Sequence, residues 1–100
     1  MKSLISNEPW CLICGDPRVH KHHIFYGTAN RKKSEQYGCW CYLCVRHHLD
    51  GRVGVHHNAR LNLELRQRCQ KEWEKVYGGR DEFRAVFGHN YLDPGEDPEP

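Results

Sequence analysis

The sequence predicts a small α+β domain stabilised by zinc, in which a β-hairpin packs on one long helix toward the C-terminus. Three observations carry this expectation. The chain has 100 residues with 38% hydrophobic and 28% charged content, which suits a single core and neither a second domain nor a bilayer span. It holds six Cys and eight His, with Cys11-x-x-Cys14 and Cys44-x-x-His47 spaced as ligand pairs. A helical apolar stripe runs from about Asn58 to Tyr77, while β-branched and aromatic residues gather before it. Domains near this size bury little surface, so a bound metal offsets what the core lacks.

Taken in order, residues 1–10 read as an N-terminal extension and 11–92 as the domain. Cys11-Leu12-Ile13-Cys14-Gly15 is a candidate metal knuckle. Val19 to Phe25 suits a strand. Gly27 to Gly38 is polar, carries Arg31-Lys32-Lys33 and is expected to be a loop. Tyr37 to Val45 reads as the second strand of the hairpin. After Cys44-Val45-Arg46-His47-His48 comes a turn, Asp50-Gly51-Arg52-Val53-Gly54. In the long helix Leu61, Leu65, Cys69, Trp73 and Tyr77 recur every four residues, with Asn58 as N-cap and Gly78-Gly79 as stop. Asp81 is expected to cap a short second helix through Phe83, Val86 and Phe87, closed by Gly88. The acidic tail, 93–100, has no apolar content and is expected to be disordered.

The formal net charge of +2 hides an asymmetry, since that tail holds four acids and no base. Residues 1–92 therefore carry 15 bases against 9 acids, a net +6, so the folded part is basic. No stretch approaches the length of a membrane span. The first seven residues lack the apolar run of a signal peptide, so a cytoplasmic location is expected. In a reducing compartment, paired Cys with nearby His point to metal rather than disulfides.

Each ligand pair is spaced so that a tight turn can aim both side chains at one tetrahedral ion, for which zinc is the natural occupant. Cys39 and Cys41 lie close to the second pair. In an extended strand they share the face opposite Cys44, so they and Cys69 are assigned to packing.

The remaining histidines cluster as His22-His23, His48 and His56-His57. This arrangement resembles the HNH nuclease family, the His-Me finger or ββα-metal nucleases, in which a strand carries a metal ligand followed directly by a general-base His. Many members add a treble-clef zinc site whose second C-x-x-C directly precedes a His, and Cys44-Val45-Arg46-His47-His48 is similar, with His in the fourth ligand position. His22-His23-Ile24-Phe25-Tyr26-Gly27, Asn30-Arg31-Lys32-Lys33-Ser34, Tyr37-Gly38, Gly54-Val55-His56 and Phe87-Gly88-His89-Asn90-Tyr91-Leu92 look like small single-domain members encoded by phages and prophages. The likeness covers roughly residues 11–92.

The resemblance implies a treble-clef/ββα-metal fold and a phosphodiester hydrolase acting on DNA in a bacterial host cell, with a phage or host recombination or packaging protein as a further partner. It implies His23 as general base, His22 and His48 as ligands of a catalytic Mg²⁺ or Mn²⁺, and His56 as a third ligand or a phosphate contact, with His57 competing for that role. The family's middle Asn, which orients the base, has no counterpart before the second strand, where Tyr37-Gly38 stands; Asn30 is the substitute. Arg31, Lys32 and Lys33 on the loop, with Arg46 and Arg52 flanking the second His site, are the expected nucleic-acid contacts. Arg60, Lys71 and Lys75 extend a basic track along the helix. His20 and His89 are expected to be surface residues. The rival reading is a non-catalytic zinc-binding DNA-binding or adaptor protein, which has no need of His22, His23 and His48 together.

Overall fold

The strands pair antiparallel, as expected, with Val19 opposite Cys44 and His23 opposite Trp40. A computed structural model describes residues 2–92, so the segment 93–100, expected to be disordered, lies outside the described residues. In chain order the elements are β1 (Val19–His23), α1 (Thr28–Tyr37), β2 (Trp40–Cys44), α2 (Val45–Leu49), α3 (Ala59–Val76) and α4 (Arg80–Phe87). The architecture is α+β: one two-stranded sheet with helices.

The connection between the strands corrects the expected loop, because Thr28–Tyr37 is helical. Its Ala, Arg, Lys, Glu and Gln are good helix formers. The helix buries only Ser34, so it has no apolar stripe through which a periodicity search finds a helix. Gly38, at φ 76°, terminates it in the left-handed conformation that glycine adopts without strain.

Polar anchors replace the missing stripe. The Ser34 hydroxyl accepts from Phe25 N at 3.1 Å and donates to Phe25 O at 2.6 Å, locking α1 to the exit of β1. Asn30 Nδ2 donates to Phe87 O at 3.0 Å and Lys33 Nζ donates to Val86 O. Both acceptors are terminal carbonyls of α4, which lack intrahelical partners.

α3 follows its expected course. Asn58 Oδ1 accepts from Leu61 N at 3.0 Å as the N-cap, and Leu65, Cys69 and Trp73 are buried. Tyr77 ends the helix half-exposed. α4 departs in one detail, since its N-cap is Gly79 and Asp81 sits in the first turn, where a carboxylate still favours the positive end of the helix. Gly88 closes it at φ 82°.

A single buried cluster joins Leu65, Cys69 and Trp73 of α3 to Cys39, Cys41 and Leu43 around β2 and to Phe25, Phe83 and Phe87. Phe25 stands 5.2 and 4.6 Å from the Phe83 and Phe87 rings, centroid to centroid. The two-residue period turns Cys39, Cys41 and Leu43 inward, so these cysteines and Cys69 are packing residues as expected. Burial pushes the Cys41 thiol up to about 12, and the Cys39 thiol and burial raise that of Cys69, so both stay protonated. Among the described residues no helix is long and apolar enough to cross a membrane.

Candidate functional site

Among the described residues, two groups of side chains that could hold a metal ion assemble from the segments before α3. The first is Cys11, Cys14, Cys44 and His47, whose ligand atoms all lie within 4.8 Å of one another. Gly15 N donates to Cys11 O at 2.9 Å and Gly15 adopts φ 80°, which closes the knuckle and turns both its cysteines the same way. Cys44 ends β2 and caps α2, and His47 lies in the first turn of that helix. Cys14 Sγ is 3.7 Å from Cys44 Sγ, while His47 Nδ1 is 3.7 and 3.3 Å from Cys11 and Cys44 Sγ. Bonds of about 2.3 Å to sulfur and 2.0–2.1 Å to nitrogen around a tetrahedral ion give S–S edges of about 3.8 Å and S–N edges of about 3.6 Å. The donor set and its spacing therefore fit a metal ion. Burial raises the Cys11 thiol, but backbone N–H groups of Cys44, Cys14 and Ile13 outweigh it and bring the pKa down to about 6, making a ready thiolate.

The second group is His22, His48 and His56, again within 4.8 Å. Adjacent residues on a helix point about 100° apart, so the doublet His47-His48 divides between the two groups. Adjacent residues on a strand point to opposite faces, so His22 turns inward and His23 turns toward α1. His56 arrives from the turn after α2. That turn is fixed by Asp50 Oδ1, which accepts from Arg52 N at 2.8 Å and Val53 N at 3.1 Å, and by the Val55 N to His47 O bond of 2.7 Å. Gly54 is required there, because a Cβ would stand 2.5 Å from Asp50 O.

His48 Nε2 and His56 Nε2 are 3.2 Å apart, close to the edge of about 3.3 Å for two imidazoles on one tetrahedral ion. His22 is 2% exposed, and its Nε2 has no hydrogen-bond partner among the described residues. A buried polar nitrogen without a partner is costly, and a cation between the three rings would satisfy it. Burial, then the neighbouring His56 and His48, lower the His22 pKa to about 3. Burial also lowers His48 and His56, so all three rings are neutral at pH 7 with lone pairs available. His57, the competitor for the third position, is outside the group.

His23 lines the same cleft of about 270 Å³ as His22, His48 and His56, together with Lys21, Tyr26 and Arg31. Its Nε2 is 3.8 Å from Glu35 Oε2, and Glu35 is held by Lys21 Nζ at 3.1 and 3.3 Å. Burial lowers the His23 pKa and Glu35 partly offsets this. Asn30, expected to orient His23, instead spends its amide on Phe87 O, and the carboxylate beside His23 belongs to Glu35. Glu35 is not marked in the sequence, because the polar segment 28–37 carries no apolar stripe; one helical turn separates it from Arg31, which shares its face.

The basic residues divide. Arg31 borders the histidine cleft, and with Lys32, Thr28, Glu35 and His23 it also lines an adjoining one. Lys33 corrects the expectation, since its ammonium is committed to α4. Arg46 lines a separate cleft with Asp16, Arg18 and Asp50 on the Cys44 side, and Arg52 is exposed on the turn. Along α3, Arg60 pairs with Glu64 and Lys75 with Glu72, which weakens the expected track. Arg66 stacks on Tyr26, 4.6 Å from the ring centroid, and its charge reaches His22 and His56. No family model matches this chain, and no curated protein or solved structure matches it.

Proposed function

We propose that the protein is an HNH-type DNA endonuclease that hydrolyses phosphodiester bonds with His23 as general base and one divalent cation, Mg²⁺ or Mn²⁺, held by His22, His48 and His56. The observation that carries this reading is the meeting, in one cleft, of three neutral imidazoles with mutually facing nitrogens and a fourth, His23, on the adjoining strand position. We further infer zinc at Cys11, Cys14, Cys44 and His47. A knuckle, a strand pair and a helix that supplies the last ligand support a treble-clef arrangement.

Phosphodiester hydrolysis needs a base for the attacking water and positive charge on the phosphate. His23, with its pKa lowered, is neutral at pH 7 and accepts that proton. The cation, when bound, supplies charge to the phosphate and the departing 3′ oxygen. Arg31 borders both clefts and is suited to a phosphate of the same strand. Phage or host DNA is the expected substrate, and specificity from structure or a recruiting partner fits the lack of a dedicated base-reading element.

Purified protein incubated with supercoiled plasmid and Mg²⁺ or Mn²⁺ should nick or cut it. His23→Ala, with zinc content intact, should be slower by about 10²–10⁴-fold. A wild-type protein that binds plasmid without cutting it favours the rival adaptor reading, and an equally active His23→Ala removes His23 from the chemistry.

A further inference from the structure

His20 was expected to be an ordinary surface residue, yet it touches the three-histidine group from outside. His20 and His22 are two positions apart on β1 and so share a face. His20 Nδ1 lies 3.3 Å from His48 Nδ1, with the ring planes at 73°. The other nitrogen of His48, Nε2, faces His56 Nε2 at 3.2 Å. His48 is thus gripped at both ends of its ring, by His20 on one side and the group on the other.

The tautomer follows. A neutral imidazole carries one N–H, and a ring that offers its Nε2 lone pair to a cation must carry that hydrogen on Nδ1. His48 Nδ1–H then donates, and His20 Nδ1 accepts. Metal-ligating histidines ordinarily give their second N–H to a carboxylate, a backbone carbonyl or water. His48 has His20 at that position.

We propose that His20 is a positioning residue for the cation site: by accepting the His48 Nδ1–H it fixes the tautomer and ring orientation that aim His48 Nε2 at the ion. This rests on the reading that His22, His48 and His56 hold a cation. Since His20 is exposed and outside the core cluster, removing it should leave the fold intact.

The test measures metal binding rather than cleavage. Protein with zinc already in the cysteine site is titrated with Co²⁺, followed by its visible ligand-field absorption; absence of a thiolate-to-cobalt charge-transfer band shows that the first site keeps its zinc. Wild type should bind one Co²⁺ with a nitrogen-ligand spectrum, and His48→Ala should bind none at that site. His20→Leu should bind about 10–100-fold more weakly at unchanged melting temperature. His20→Asp, which restores an acceptor, should recover most of the loss. The ring ¹⁵N shifts of His48 in the Zn²⁺-loaded protein should report the Nδ1–H form in wild type. Equal Co²⁺ affinity in His20→Leu and wild type overturns the role of His20 alone. A wild type that takes up no second ion overturns the three-histidine site and the His20 proposal with it.

Discussion

Replacing Cys11 by Ala should abolish the folded state rather than merely lower its stability. The four-ligand group ties the knuckle to the end of β2 and the start of α2, two segments 30 residues apart in sequence at Cys14 and Cys44. Zinc in such a site contributes about 10–16 kcal/mol of apparent binding free energy to folding. A domain of this kind has about 5–15 kcal/mol of net stability. Losing the metal contribution, about 10–16 kcal/mol, is therefore comparable to or larger than the whole margin. Cys11 is also 1% exposed, so no water-accessible substitute can take its place easily. The assay combines zinc content by elemental analysis with thermal unfolding by circular dichroism. Wild type should carry one tightly held zinc and unfold cooperatively; Cys11→Ala should carry none and show no cooperative transition. Cys69→Ala is the control, because Cys69 is equally buried but lies outside the group. Losing its sulfur costs about 1 kcal/mol, or about 4–8 °C in Tm, with zinc retained. A Cys11→Ala protein that melts cooperatively near the wild-type temperature refutes the argument.

Asn58→Ala should lose about 0.5–2 kcal/mol through the α3 cap, read by urea denaturation, with zinc content unchanged. Gly54→Ala should destabilise by at least about 1–3 kcal/mol and weaken Co²⁺ binding at the second site, since the new Cβ meets the Asp50 backbone in the turn that presents His56. Arg31→Ala should weaken DNA binding and reduce its salt dependence by about one ion, whereas Lys33→Ala should leave the salt slope unchanged and lower thermal stability, because its ammonium binds Val86 O. The His22 pKa is depressed in the folded protein, so the unfolded chain binds the proton first. Without a second cation, stability should fall as pH drops from about 6.5 toward about 3, by up to about 1.4 kcal/mol per pH unit from this group. Chemical denaturation across that range should show the slope, and His22→Leu should reduce it.

Residue type and spacing marked the paired cysteines and the whole of α3 with its Asn58 cap, because these signals are local: ligand spacing, a period of 3.6 residues and an N-cap are written into consecutive positions, whereas the roles of His22 and His48 rest on the resemblance to the HNH family. α1 was not legible, since its one buried residue, Ser34, acts through hydroxyl hydrogen bonds and its Lys33 and Asn30 act on carbonyls more than 50 residues away. Shorter separations hid Glu35 beside His23 and His20 behind His48, since each pair sits on different elements that meet only in the folded chain. The choice of His56 over His57 was likewise undetermined, for the two differ only in which way a turn built by Asp50 and Gly54 directs them. Sequence by itself supplied the pool of Cys and His side chains that could hold a metal, because ligand chemistry is a property of side chains. The tertiary structure alone decided which histidine faces the cleft, which carboxylate stands beside His23 and which lysine is spent on a backbone carbonyl of α4, since each depends on contacts between segments that meet only in the folded chain.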